Sequence, residues 1–232
     1  MVPARKGSQR LSYKNLALVA GEPMISYVLS SAKKSGVFDK IFVNSDAAVF
    51  EEIATDYGVE FYHRPSRLGS SDTKSDDVVH DFIKAHQCDV VAWINPIAPL
   101  QPSSEIRDVI QYFFDNNLDS LFTIKREQVH CIHNDDPVNF TFDEKFAKTQ
   151  SLTPVYPFVY SIMMWDVKSF ENEYQDCGYG LFCGETGYYP VSKESTFIVK
   201  YASDLMMVDA VMRGRRDQSK DVEYDQRVQR IK

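Results

Sequence analysis

The sequence has few cysteines and no long apolar run. Its four cysteines are scattered, without a CxxC pair or the Cys–His spacing of a zinc site, so reduced thiols in a cytoplasmic protein are expected. Charged residues interrupt every apolar run before the ~18 residues that a membrane span needs. The charged N-terminus is not followed by an apolar stretch, so the sequence predicts neither a membrane span nor a secretory signal.

The first 21 residues contain no acidic side chain. Four cations lie among them: Arg5, Lys6, Arg10 and Lys14. The whole chain carries a net charge of −7, which argues against a protein that coats nucleic acid or acidic membranes. Residues 213–232 carry +3, so residues 22–212 must carry −14. A positive N-terminal loop in an acidic protein predicts a small anionic ligand.

The chain has 232 residues, 44% of them apolar and 25% charged, which favours one large domain or one domain with an appendage. Apolar periodicity alternates between strand and helix up to residue 124, which predicts an open, mostly parallel, Rossmann-like α/β sheet. Such sheets bind ligands at the carboxyl ends of their strands. Strands are predicted at 40–44, 59–62, 89–94 and 120–124, and helices at 23–35, 47–57, 75–85 (capped by Ser75) and 103–116.

The second half is less regular. Residues 127–160 are rich in His, Asn, Asp, Pro and aromatic residues, and indicate an excursion of hairpins and loops. The remaining elements are predicted as a strand at 161–165, a helix at 167–174, a loop at 178–187, a strand at 197–201 and a helix capped by Ser203 and Asp204 that ends near 212. The polar tail 213–232 is predicted to be a solvated helix or disordered.

Residues 2–15 (VPARKGSQRLSYKN) form the most informative stretch. A loop that approaches a triphosphate needs a glycine, main-chain donors and cations. Gly7 and Ser8 stand among cations here, so Arg5 and Lys14 are candidates to hold phosphates and Ser8 to donate its hydroxyl. The stretch lacks the GxxxxGK[ST] pattern of a Walker A loop. A solvated basic loop is the alternative interpretation.

This stretch resembles the PARxGSxRxxxKN signature of the CMP-sugar synthetases, the acylneuraminate and related cytidylyltransferases. Later segments are similar to that family in order and spacing, and the resemblance covers about residues 2–126. They are residues 21–27 (GEPMISY), 43–46 (VNSD), 63–75 (HRPSRLGSSDTKS) and 95–101 (NPIAPLQ).

The resemblance implies a nucleotide-diphospho-sugar transferase fold and transfer of a cytidylyl group from CTP to an acidic sugar, with release of pyrophosphate and dependence on Mg²⁺. It implies one module over 1–212 that dimerises through an excursion at 127–195. Arg5, Ser8, Lys14 and Asn15 would hold the triphosphate and nucleotide, with Arg5 and Lys14 as the catalytic cations. Arg64, Ser75 and Asn95 would contact the cytidine, although Arg64 also fits a surface arginine before a turn proline.

Two regions depart from the family pattern. Ile198 and Lys200 stand where the family has two metal-binding carboxylates, and Ile97 stands where one branch has a third. A lysine ammonium can neutralise phosphate charge but cannot ligate a hard cation. Asp46 and Asp72 are the remaining candidate ligands, and each equally fits a cap or turn residue.

At the sugar end, Thr149 replaces an arginine and residues 159–163 (VYSIM) replace the family's NGAIY, so Gln150 and Tyr156 alone carry over as substrate contacts. The first strand is predicted to contain only Met1 and Val2, which is shorter than in the family. We expect either that the chain starts late or that part of a core strand is missing. Three hypotheses remain open: a cytidylyltransferase for a nonulosonic acid, the same chemistry on another acceptor, and a divergent nucleotide-binding homologue without this catalysis.

Overall fold

The computed structural model describes residues 1–7 and 10–216 of the chain. The strands are β1 (Val2–Ala4), β2 (Leu18–Val19), β3 (Glu22–Pro23), β4 (Phe42–Ser45), β5 (Glu60–His63), β6 (Val90–Ile94), β7 (Ser120–Ile124), β8 (Ile132–His133), β9 (Asp136–Pro137), β10 (Phe158–Asp166) and β11 (Thr186–Pro190). The helices are α1 (Met24–Ser35), α2 (Val49–Asp56), α3 (Ser75–Ala85), α4 (Ser103–Asp115), α5 (Val167–Cys177) and α6 (Ala202–Arg216). Within the described ranges, no helix is long and apolar enough to cross a membrane.

The main strands form a three-stranded and a four-stranded sheet that meet at Met1. β1, β4 and β5 pair in parallel, and β10 lies antiparallel between β6 and β7, with β11 parallel to β7. Met1 joins the two halves because its N donates to Ala92 O at 2.7 Å and its O accepts from Ile94 N at 2.9 Å. The strand order is therefore β5-β4-β1-β6-β10-β7-β11, which confirms the predicted open, mostly parallel α/β sheet.

Helices pack on both faces of this sheet, and successive side chains of β7 point alternately to the two faces. Leu121 packs with α1 and α4 on one face, and Phe122 packs with α3 and α5 on the other. The buried positions of α1 recur at helical spacing, and the helix ends at Gly36, whose φ of 68° is costly for other residues. The predicted periodicity thus identified the faces that build the core.

The structure corrects the prediction at the far edge of the sheet. Residues 197–201 do not form a strand. The edge position is taken by β11, whose first two residues fall in the predicted loop 178–187. β11 contains a glycine and a proline, which are atypical of strands, so the sequence pattern does not predict it. A Cβ at Gly187 would clash with Leu118 Cδ1, and Pro190 is tolerated because β11 is an edge strand.

The predicted helix caps also need correction. Ser75 is the first residue of α3 and Lys74 takes the N-cap position, so Ser75 is not the cap. At α6 the capping group is Asp204, whose Oδ2 accepts from the N–H groups of Lys200 and Tyr201, both at 2.8 Å. α6 runs to Arg216, past the predicted end at 212, and residues 217–232 of the predicted tail lie outside the described residues.

Candidate functional site

A cleft of about 280 Å³ lies at the carboxyl ends of β1 and β6. The loop after β1, the turn Lys14–Leu16, the loop between β5 and α3, and the segment after β6 surround it. These are loops at the place where an open α/β sheet binds its ligands. The lining residues include Pro3, Arg5, Lys14, Asn15, Arg64, Ser75, Trp93, Asn95 and Ile97.

The cleft brings together most of the residues predicted for the nucleotide: Arg5, Lys14, Asn15, Arg64, Ser75 and Asn95. Ser8 lies outside the described residues. The two predicted sugar contacts are not among the lining residues. Gln150 is exposed in the turn Thr149–Ser151, and Tyr156 is 51% exposed in the excursion.

Arg64 is the most buried cation of the cleft. It follows β5, where its N–H donates to Ser45 O at 2.9 Å, and its side chain is only 4% exposed. The guanidinium Nη2 lies 3.5 Å from Asp46 Oδ1. Burial lowers the pKa of Arg64, and the Asp46 carboxylate opposes that shift. The alternative interpretation of Arg64 as a surface residue is therefore wrong.

Asp46 is held in place by close packing as well as by charge. Its Oδ1 also accepts from Lys6 N at 3.2 Å. A Cβ built on Gly69 would lie 2.3 Å from Asp46 Oδ2 and 2.9 Å from Asp46 Cβ. Only a glycine lets the turn Ser66–Gly69 approach this carboxylate, so Gly69 fixes the position of the Asp46–Arg64 pair.

We expect Gly69→Ala to lower the free energy of unfolding by about 1–3 kcal/mol, because the added methyl overpacks Asp46. The matched control is Gly214→Ala in α6, where a Cβ meets nothing within 4 Å. That variant should be neutral or more stable by about 0.5 kcal/mol, since alanine is the better helix former. Urea unfolding of both variants measures the difference, and equal stability would contradict this account of Gly69.

Lys14 is placed by an unusual backbone. Tyr13, with a φ of 50°, begins the turn Lys14–Leu16, and Lys14 Nζ donates to Val199 O at 3.1 Å. Burial, followed by the charges of Arg10 and Arg5, lowers the pKa of Lys14. Within the described residues none of these three cations forms an ion pair with a carboxylate. The charged side chains that line the cleft are Arg5, Lys14 and Arg64, so the cleft presents a net positive charge to an anion.

The lowered pKa of Lys14 predicts the pH dependence of anion binding. As the pH rises, Lys14 loses its proton earlier than an ordinary lysine, so affinity for a nucleoside triphosphate should fall. Lys14→Arg stays charged and should keep the affinity constant over the same range. Calorimetric titrations from about pH 7 to about pH 10 distinguish the two. The same fall in Lys14→Arg would assign the titration to another group.

Three buried polar atoms of the cleft have no hydrogen-bond partner in the described part of the chain. They are the acceptor Asn15 Oδ1 and the donors Arg64 Nε and Trp93 Nε1. An unpaired buried polar group costs about 1–3 kcal/mol, so such groups need an explanation. A polar ligand in the cleft would supply the missing partners. The sequence motifs do not include Trp93, because it belongs to the apolar strand β6.

Asn95 is fixed where β6 ends. Its N–H donates to Ser161 O at 2.8 Å, and its Nδ2 donates to Tyr160 O at 3.2 Å. Tyr160 has a φ of 58°, which is rare for a bulky residue, and β10 shifts register in this region. Tyr160 stands where the family's NGAIY segment has its glycine. The carbonyl that orients the Asn95 amide therefore belongs to a residue with a strained backbone.

The described residues do not fit a divalent cation held by carboxylates. Residues 1–7 and 10–216 contain no group of three or more His, Cys, Asp or Glu side chains able to hold a metal ion. Val199 N donates to Ile97 O at 2.9 Å, which places the segment of Ile198 and Lys200 beside Ile97. Of the two remaining candidate ligands, Asp46 is already paired with Arg64.

Sequence comparison agrees with this geometry. A family model described as cytidylyltransferase matches residues 1–211. The chain is 25% identical over 217 residues to an N-acylneuraminate cytidylyltransferase of Streptococcus agalactiae serotype III, a match that covers 90% of this chain and 51% of that protein. It is 30% identical over 169 residues to a pseudaminic acid cytidylyltransferase of Campylobacter jejuni, covering 67% of this chain and 72% of the relative. The chain thus spans about half the length of the Streptococcus relative.

Solved structures show the same fold. A CMP:2-keto-3-deoxy-manno-octonic acid synthetase complexed with CTP superposes with a TM-score of 0.67 at 15% identity, covering 92% of this chain and 97% of that one. A 4-diphosphocytidyl-2C-methyl-D-erythritol synthase from Anaerococcus prevotii gives 0.66 at 12% identity, with 91% and 97% covered. The family model spans nearly the whole described chain, and the resemblance in the motifs is confirmed. The chain belongs to the cytidylyltransferase family.

Proposed function

We propose that this protein transfers a cytidylyl group from CTP to the anomeric hydroxyl of a nonulosonic acid. The observation that carries the proposal is one cleft that collects Arg5, Lys14, Asn15, Arg64, Ser75 and Asn95 from widely separated motifs. The relatives named for N-acylneuraminate and pseudaminic acid support this class of acceptor.

The reaction needs positioning and charge neutralisation rather than a covalent enzyme intermediate. The acceptor hydroxyl oxygen attacks the α-phosphorus, and the bond from that phosphorus to the bridging oxygen of the β-phosphate breaks. Pyrophosphate leaves with the bonding electrons, and the hydroxyl proton passes to solvent. Arg5 and Lys14 are assigned to the triphosphate as the catalytic cations, together with Ser8.

The nucleoside is assigned to the buried side of the cleft. Asn15, Arg64, Ser75 and Asn95 would orient the cytidine, and Asn15 and Arg64 carry polar atoms that lack partners in the described residues. Mg²⁺ is implied by the family resemblance, but the donor set does not fit it, so no step is assigned to a bound metal.

The residues at the acceptor end of the site bear on which sugar receives the cytidylyl group. Gln150 and Tyr156 are proposed as sugar contacts, while Thr149 lacks the charge to pair a carboxylate. Tyr160 stacks on Phe158 with ring centroids 5.3 Å apart, which places aromatic surface where the family has a flexible glycine. This favours, as a second candidate, the same transfer to a different sugar acceptor.

Pyrophosphate release tests the proposal. The protein is incubated with CTP, Mg²⁺ and a panel of nonulosonic and octulosonic acids, and the nucleotide-sugar product is identified by mass spectrometry. Turnover with a nonulosonic acid supports the proposal, and turnover only with another sugar supports the second candidate. CTP binding without turnover across the panel would favour the divergent, non-catalytic homologue.

We propose that the protein acts as a homodimer in the cytoplasm. The excursion between β7 and β11 exposes large apolar side chains, including Ile132, Phe142 and Phe146, as expected of a surface that a second copy covers. The four cysteines of the chain are free thiols, as expected of a protein in a reducing compartment such as the cytoplasm. Sedimentation velocity on the wild type and on Phe146→Ser tests the dimer, which the serine should weaken; a monomeric wild type would contradict it.

A further inference from the structure

A second group of cations borders the cleft, along the segment that leads into α6. Lys14 Nζ donates to Val199 O at 3.1 Å, and the Arg10 guanidinium lies 5.7 Å from the centre of the Tyr201 ring. Lys200 stands between these two contacts. The segment touches the cleft wall, because Val199 N donates to Ile97 O at 2.9 Å.

Among the described residues, Lys200 forms no ion pair with a carboxylate. The nearby Asp204 uses its Oδ2 to accept from the main-chain N–H groups of Lys200 and Tyr201, which fixes the backbone that carries the lysine. In the described part of the chain, Arg10, Lys14 and Lys200 form no ion pair. The Asp204 carboxylate offsets only part of the charge of Lys14 and Lys200. Because the three cations repel one another, an anion that joins them gains their combined attraction.

We propose that Lys200, with Arg10 and Lys14, neutralises the β- and γ-phosphates of CTP in place of a divalent cation held by carboxylates. The inference rests on the proposed use of CTP and concerns how its charge is balanced. Ile97, Ile198 and Lys200 replace the oxygen donors of the family pattern, and the lysine supplies positive charge without a metal. The protein should therefore bind CTP whether or not Mg²⁺ is present.

Isothermal titration of the full chain with CTP, in excess EDTA or in Mg²⁺, tests this inference without any sugar. The wild type should bind with affinities that agree within about threefold in the two media. Lys200→Ala should weaken binding in EDTA about tenfold, the effect of losing one charged contact. The matched control is Lys193→Ala, which removes an exposed lysine of the same segment and should bind like the wild type.

Two further titrations locate the effect. CMP lacks the β- and γ-phosphates, so Lys200→Ala should bind it like the wild type. The double variant Ile198→Asp, Lys200→Asp restores two carboxylates, so it should bind CTP weakly in EDTA and recover in Mg²⁺. Wild-type binding that requires Mg²⁺, or an unchanged Lys200→Ala, would overturn the inference while leaving the proposed function intact. Absence of CTP binding in both media would overturn the proposed function as well.

Discussion

Replacement of Arg64 with alanine is expected to lower kcat/KM for CTP about a hundredfold, the usual effect of truncating one partner of a buried charged contact. The guanidinium is 4% exposed at the wall of the cleft, and its Nε has no partner among the described residues. Its loss removes a donor from the proposed nucleoside site and leaves Asp46 without its counter-ion. The defect should appear as raised KM for CTP together with lowered kcat.

A nearby arginine provides the control for this experiment. Arg67 lies three residues further along the same loop, but its side chain is 71% exposed and its Nη2 is 3.6 Å from Asp81 Oδ1. Arg67→Ala should therefore keep kcat/KM within about threefold of the wild type, since exposed ion pairs contribute about 1 kcal/mol or less.

Circular dichroism of Arg64→Ala and Arg67→Ala separates loss of the site from loss of the fold. A folded Arg64→Ala with unchanged kinetics would remove Arg64 from the nucleotide site. Equal losses in the two variants would instead indicate a general effect of charge.

Local chemistry explains why the nucleotide half was predictable. The bounds of α3 and β7 agree with the sequence prediction, because apolar spacing on one helix face and a short run of apolar and β-branched residues leave little ambiguity. Three of the predicted cleft residues, Arg5, Arg64 and Asn95, directly follow the strands β1, β5 and β6. Parallel strands bring such ends to one edge, so the motifs converge once the sheet is known.

Long-range pairing explains what remained hidden. Residues 197–201 have strand-like composition, but the sheet edge is occupied by β11, and no local signal decides between two candidates for one edge. The contact of Lys14 with Val199 joins residues 185 positions apart. The partnerless Nε1 of Trp93 is likewise a property of the folded cleft, because the sequence shows an apolar strand residue and not what surrounds its ring.

The second large effect is on stability. Trp165→Ala is expected to lower the free energy of unfolding by about 3–5 kcal/mol, the range for tryptophan truncated in a core. Trp165 is fully buried, packs near Phe122 and Phe170, and donates its indole N–H to Leu181 O at 2.8 Å. That bond ties β10 to the loop before β11, so the alanine variant loses packing and a loop anchor together.

The milder variant Trp165→Phe separates these two losses. It retains most of the ring packing but leaves Leu181 O unpaired, so we expect it to cost about 1–2 kcal/mol in urea unfolding. Equal losses in the two variants would mean that packing contributes little. The chain has two tryptophans, so in Trp165→Phe the remaining fluorescence comes from Trp93 in the cleft. CTP should then change that fluorescence saturably, whereas an unaltered signal in the folded variant would place the nucleotide away from Trp93.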